Sequence, residues 1–273
     1  MEQDKSDSAF SIWIVVPTYN ERDNITELSV RALKTIPTAN LLIVDDSSPD
    51  GTAEIVKKMH YEDGRIHLLV RTVKSGLGSA YRDGFQYALD RGAAVLVEMD
   101  ADLSHSPEEL PLLLAAVRCG ASLAIGSRYV PGGNPGGLTR FRLRLSQFGN
   151  RYAAFMLGLG IVDATSGFRA YQSAAVKSID LQAIRADGYG FQIEMAYRVF
   201  QQGGALVEVP IQFLERRAGT SKMSLHIVVE AMWLCTVLGI SRIFKRSGSR
   251  VKDRGKDTVI DLRDVRTPQG DQV

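Results

Sequence analysis

Val95-Leu96-Val97-Glu98-Met99-Asp100-Ala101-Asp102 is the stretch from which both the fold and the chemistry of this chain are read. A short apolar run rich in β-branched residues reads as a buried strand. It stops abruptly at two carboxylates, and Leu103-Ser104-His105-Ser106-Pro107 then leads into a helix over 107–118. In an open α/β sheet, ligands collect outside the carboxyl ends of the strands. Two acids placed there suit a hard divalent cation, which takes oxygen ligands and bridges to substrate phosphates. Asp is also common as a helix N-cap or loop residue, so this pair alone leaves both readings open.

Upstream, apolar strands alternate with helices. Phe10 to Val16, Leu41 to Val44 and Ile66 to Val70 are strands, and Leu123 to Gly126 follows the central one. Between them lie a helix capped by Asn24 and running to about Thr35, one over 52–60, and one opened by Gly76-Leu77-Gly78 and running through Arg91. Short connections in this order demand right-handed crossovers and a doubly wound, largely parallel sheet. The polar stretches Pro17 to Glu21 and Asp45 to Gly51 follow strand ends, where they suit a base and ribose or simply make turns. Gly76-Leu77-Gly78 lacks the third glycine of a dinucleotide fingerprint, since that position is Tyr81, and no Walker lysine follows. That spacing argues against nicotinamide and P-loop chemistry.

Downstream the texture changes. Pro131-Gly132-Gly133-Asn134-Pro135-Gly136-Gly137 reads as a mobile loop, either a lid or a plain linker. The segment from Arg140 to Leu159 sets Arg140, Arg142, Arg144 and Arg151 among apolar and aromatic residues, a helix with one basic side. Such a helix lies on a membrane, grips phosphate or packs on a sheet. Asp163 to Arg169 is a polar turn before a helix near 173–179, a further helix carries Glu194, and Leu206 to Pro210 is a strand. Arg216, Arg217 and Lys222 around Gly219 make either a phosphate clamp or a solvated loop. Leu225 to Phe244 is the most apolar segment, but His226, Glu230 and Arg242 interrupt it. That favours an interfacial or core helix over a membrane span. The basic residues from Arg242 to Lys256 suit an anionic leaflet, and from about Ser247 the composition is that of a disordered tail.

Across its 273 residues the chain is 45% hydrophobic and 23% charged, with a net charge of +2. This is ordinary for a globular α/β protein with a sizeable core. Two cysteines, Cys119 and Cys235, stand far apart without ligand spacing, so they read as two small buried hydrophobes in a reducing compartment. The polar N-terminus shows no secretory signal, and no groove-reading motif supports nucleic-acid binding.

Taken together, Val16-Pro17-Thr18-Tyr19-Asn20-Glu21, Val44 to Thr52, Met99 to His105, Ile125 to Tyr129, Thr165 to Arg169 and Arg216 to Lys222 resemble family 2 glycosyltransferases of the GT-A fold. Within that family they are most similar to the dolichol- or polyprenol-phosphate mannose synthase branch. The resemblance covers roughly residues 10–240. It implies a GT-A catalytic domain over 10–224, which composition sets between a flexible 1–9 and an interface helix over 225–246, with a charged tail over 247–273. It further implies inverting transfer of mannose from GDP-mannose to a polyprenyl or dolichyl phosphate, assisted by Mg2+ or Mn2+. The enzyme would lie on the cytoplasmic face of a membrane, with or without an integral membrane protein as partner. Pro17, Tyr19, Glu21, Ile43, Asp45 and Asp46 would hold the nucleoside, and Asp100, Ala101 and Asp102 the sugar diphosphate and metal. Arg128, Arg216 and Lys222 would steady the phosphates, and Arg142, or Arg144, the acceptor. Close relatives carry a glutamine as an additional metal ligand where this chain has Ser104, whose shorter side chain leaves that position to the hydroxyl or to water. Other donors (UDP-glucose, UDP-N-acetylglucosamine) and a non-catalytic nucleotide-sugar-binding subunit are the alternatives. The first usually comes with two clean membrane spans, and the second would more readily have lost a carboxylate or the Arg216/Lys222 pair.

Overall fold

The computed structural model describes residues 10–136, 139–214 and 225–248. One sheet contains β1 (Ile12–Thr18), β2 (Asn40–Asp45), β3 (Ile66–Val70), β4 (Val95–Glu98), β5 (Leu123–Ser127), β6 (Arg169–Gln172) and β7 (Leu206–Pro210). The helices are α1 (Arg22–Thr35), α2 (Thr52–Glu62), α3 (Leu77–Asp90), α4 (Leu110–Arg118), α5 (Arg140–Leu157), α6 (Ser173–Lys177), α7 (Gly188–Gln201) and α8 (Leu225–Gly248). Spatial order is β3-β2-β1-β4-β6-β5-β7. All pairings are parallel except those of β6, which runs antiparallel to both β4 and β5.

The strands are apolar on both faces because both faces are covered. Along β1, Trp13 and Val15 join a core with Tyr81, Phe85, Leu96, Tyr171 and Phe191. Ile12, Ile14 and Val16 join the opposite core with Leu28, Ile43, Val97 and Leu113. This is the pattern a buried parallel sheet requires. Helix α3 lies close on the sheet because Gly84 carries no side chain: a Cβ there would stand 2.5 Å from Val15 Cγ1. The chain winds outward from β1 through β2 to β3, then returns to the other flank of β1 as β4. The reversal opens a crevice at the carboxyl ends of β1 and β4, where doubly wound sheets bind ligands.

Several expectations needed correction. Strand β6 was not anticipated: it is four residues long, begins with a buried arginine, and has no alternation to betray it. Asn24 does not cap α1; Glu21 stands at the N-cap, and Asn24 Nδ2 donates to Glu21 Oε2 at 2.9 Å from inside the first turn. The helix expected over 107–118 opens as a 3-10 turn, Pro107–Glu109, before α4. Cys235 is buried as expected, but Cys119 is exposed because it ends α4 on the solvent side. In the glycine-rich loop, Asn134 is tied to the chain after β7, with its N–H on Ile211 O and its carbonyl accepting from Phe213 N, both at 2.9 Å.

Candidate active site

Three loops form the site, one after each of β1, β2 and β4. Each contains a non-glycine residue at positive φ: Asn20 at 61°, Ser47 at 53° and Leu103 at 60°. Such conformations are uncommon, most of all for a bulky residue like Leu103, and cluster where surroundings over-determine the backbone. Here hydrogen bonds do so. Asn20 N donates to Ser48 Oγ at 3.0 Å, Glu21 N to Thr52 Oγ1 at 3.2 Å, and Asp46 N to Thr18 O at 3.1 Å.

Asp45 is fully buried, with Oδ1 accepting from Thr18 Oγ1 at 2.9 Å and Ser48 Oγ at 2.6 Å, and Oδ2 from Ser48 N at 2.9 Å. Asp46 pairs with Arg71 at 2.8 Å. Burial raises its carboxyl above the ordinary value, while Arg71 pulls it back. Tyr19 and Glu21 are half-buried at the end of β1, and Pro17 lies beside Val44 in register. Ile43 is different: its side chain is buried in the core beneath the crevice.

At the end of β4, Asp102 is largely buried and Asp100 half-buried. Ala101 between them is buried. Ser104 donates to Asp102 Oδ1 twice, from its amide at 3.0 Å and its hydroxyl at 2.5 Å. That turn sets the carboxylate and accounts for the left-handed Leu103 beside it. Gly167 lets the 165–169 segment pass under Asp100: a Cβ there would be 3.4 Å from Asp100 Oδ2. His105 stacks on Phe168 at 5.2 Å and meets the edge of Phe213 at 5.4 Å.

Among the described residues no group of three or more His, Cys, Asp or Glu side chains is arranged to hold a metal. Asp100 and Asp102 supply hard carboxylate oxygens, which fit a Mg2+ or Mn2+ ion that completes its shell with water and diphosphate oxygens. Ser104 is fully buried against Asp102 and holds that carboxylate in place.

Beneath the two acids lies a polar cluster that the sequence concealed. Glu98 is fully buried in β4, and its Oε1 accepts from Tyr171 Oη at 3.0 Å. Burial pushes its carboxyl up to about 7, with Arg169 pulling it down and Asp100 pushing it further up. Arg169, paired with Glu98 across β4 and β6, is fully buried and donates to the carbonyls of Ser166, Gln192 and Ala164 at 2.6–2.7 Å. An arginine heading a strand gives no local sign of burial. Its position opposite Glu98 was the missing information.

Arg128, expected to steady phosphate, is held by Asp163, a residue the sequence offered only as part of a turn. Its Nε donates to Asp163 Oδ2 at 2.8 Å and its Nη2 to Oδ1 at 2.6 Å, with Thr165 Oγ1 at 3.0 Å from Nη2. Burial opposes the charge of Arg128, but Asp163 outweighs it and raises the guanidinium further above its ordinary value. Glu208 of β7 in turn accepts from the Val162 and Asp163 amides. One edge of the guanidinium is thereby fixed.

Arg142, with Arg140, Arg144 and Arg151, is exposed on α5. Arg216 and Lys222 lie outside the described residues. The last described residue before them, Leu214, donates its amide to Ser104 O at 2.9 Å, beside the Asp100–Asp102 turn.

A family model described as glycosyl transferase family 2 matches residues 13–180. Polyprenol monophosphomannose synthase of Mycolicibacterium smegmatis is 49% identical over 228 residues, covering 83% of this chain and 86% of that protein. Undecaprenyl-phosphate mannosyltransferase of Micrococcus luteus is 48% identical over 227 residues, covering 83% and 93%. Among solved structures, glucosyl-3-phosphoglycerate synthase from Mycobacterium tuberculosis aligns with a TM-score of 0.63 at 17% identity, over 88% of this chain and 82% of that one. The same enzyme bound to Mn2+, UDP-glucose and phosphoglyceric acid aligns with a TM-score of 0.61 at 17% identity, over 86% and 82%. At that identity the likeness is one of fold, and it agrees with the GT-A-type sheet expected from the sequence. With the family model spanning more than half its length and two relatives near 50% identity, this chain belongs to glycosyl transferase family 2.

Proposed function

We propose that this protein transfers mannose from GDP-mannose to a polyprenyl monophosphate of the dolichyl type, with inversion at the anomeric carbon. The observation that carries this reading is the 49% identity to a polyprenol monophosphomannose synthase, extending over 83% of the chain. The acid pair at the end of β4 supplies the matching chemistry. An acceptor phosphate is already anionic near neutral pH, so an oxygen of it attacks C1 without a general base. The C1–O bond to the β-phosphate breaks on the opposite face, GDP leaves with the bonding pair, and an α-linked donor yields a β-linked mannosyl phosphate.

Asp100 and Asp102 would hold the divalent cation, which when bound neutralises the charge of the departing diphosphate. Ser104 keeps Asp102 aimed. Arg128, locked by Asp163, presents its remaining edge to phosphate, and Arg216 and Lys222 supply the further positive charge that holds nucleophile and leaving group in line. Nucleoside contacts fall to Pro17, Tyr19, Glu21, Asp45 and the backbone at Ile43. Arg142 or Arg144, on the adjoining helix, meets the acceptor.

The lipid acceptor places the enzyme at a membrane surface, on the cytoplasmic face as a peripheral protein. No helix among the described residues is long and apolar enough to cross a membrane. Helices α5 and α8 support surface attachment instead. They pack together, with Tyr152 and Thr236 hydroxyls 2.7 Å apart and Gly239 admitting the Met156 carbonyl. Each leaves an apolar stripe in solvent. On α5, Phe141, Phe148 and Phe155 are 75%, 57% and 82% exposed, with Arg144 and Arg151 between them on the same side. On α8 the stripe is Val229, Trp233, Val237 and Ile240. Aromatic rings alternating with snorkelling arginines suit the headgroup boundary of an anionic bilayer.

Competition of GDP-mannose, UDP-glucose and UDP-N-acetylglucosamine with a polyprenyl phosphate tests the reading. Mannosyl lipid formed from GDP-mannose is the expected product. Transfer from either UDP-sugar in preference, or nucleotide binding without transfer, overturns it.

A further inference from the structure

Lys74, on the loop between β3 and α3, holds its Nζ 3.4 Å from the centroid of the Tyr19 ring. The surroundings of this pair are already stitched together. Arg71, at the root of the same loop, is taken up by Asp46 at 2.8 Å, Asp83 at 3.0 Å and Ser79 at 2.6 Å. Its backbone joins the loop after β2, with Arg71 N on Asp45 O at 2.8 Å and Ser47 Oγ on Arg71 O. Asp45 Oδ1 accepts from the Thr18 and Ser48 hydroxyls and its Oδ2 from Ser48 N. What this floor offers upward is the flat face of half-buried Tyr19, and an exposed lysine covers it.

We infer that Lys74 sets the nucleobase preference of the site, covering the Tyr19 face in the free enzyme and donating to the oxo edge of the guanine that displaces it. A ring face attracts either a cation or a stacked base, so the two compete for one position. Once displaced, an ammonium is three donors with no acceptor. Guanine presents two acceptors, O6 and N7, on a single edge, whereas adenine puts an amino donor beside N7 and so repels a cation there. Arg71 cannot substitute, because its fork is occupied by Asp46 and Asp83.

The inference rests on the guanosine-donor reading above, and the experiment separates the two. Binding of GDP, UDP and ADP to the full-length protein is measured by calorimetry for wild type, Lys74→Met and Lys74→Arg. Wild type is expected to favour GDP. Lys74→Met should weaken GDP by about tenfold while ADP changes less than about twofold, and Lys74→Arg should recover most of the loss. Equal losses for GDP and ADP would mean simple attraction of the diphosphate, and no loss would mean no contact; either overturns the assignment. A wild-type protein that prefers UDP instead overturns the donor reading, independently of the Lys74 comparison.

Discussion

Asp102 illustrates how much a single position carries. Its replacement by Asn would remove charge at the proposed cation position with little change of volume, so transfer should fall by at least about a hundredfold while the thermal unfolding midpoint stays put. Undiminished turnover of radiolabelled GDP-mannose would remove the metal role. Ser104→Ala leaves both acids and the amide donor to Asp102 Oδ1 in place but removes the hydroxyl that also donates to it. The metal concentration for half-maximal activity should rise about tenfold, recoverable with excess cation. Glu98 acts differently, through pH. Its native carboxyl titrates near 7 instead of 4.5, so between those values the folded state binds the proton and the unfolded state does not. Stability therefore falls as pH rises through that window, by about 3 kcal/mol in all, and the full cost is present above pH 7. In metal-free urea unfolding, Glu98→Gln should narrow the gap between pH 4.5 and pH 8. An unchanged gap would show that Glu98 does not titrate there.

At the scale of elements, α5 and α8 are held to the body by one side and present the other to solvent. Gly158 leaves room for the Arg242 guanidinium to sit over the C-terminus of α5, where a cation is favoured by the helix dipole. The exposed phenylalanines lie mostly in solvent, so changing them should spare the fold. Phe148→Asp with Phe155→Asp should weaken binding to anionic vesicles by at least about tenfold, because each buried ring is worth about 2 kcal/mol. Turnover with a short-chain soluble acceptor should be nearly unaffected. Equal vesicle affinity for the double variant and wild type would detach α5 from the membrane.

For the whole molecule, the chain beyond α8 carries Arg250, Lys252, Arg254 and Lys256, and its deletion from residue 249 onward should weaken vesicle binding more than turnover, most clearly at low salt. Loss of turnover in step with binding would contradict that division. The architecture was largely legible in the chain itself. Both-face apolar runs such as Val95 to Val97 announced buried parallel strands, and Asp100 and Asp102 at a strand end announced the crevice, because alternation and termination are local properties. Strand β6 was not legible, since its four residues become a strand only by pairing between β4 and β5. Arg128 could be picked out as a phosphate-binding candidate, but its clasp by Asp163 joins residues 35 apart in sequence. The burial of Glu98 against Tyr171 and Arg169, and the meeting of Lys74 with Tyr19, likewise exist only once crossovers bring distant loops together. Residue type and period therefore determined which chemistry the chain carries and on which edge of the sheet. Tertiary structure alone decided which side chains are held in place and which remain available, because that depends on partners no local pattern encodes.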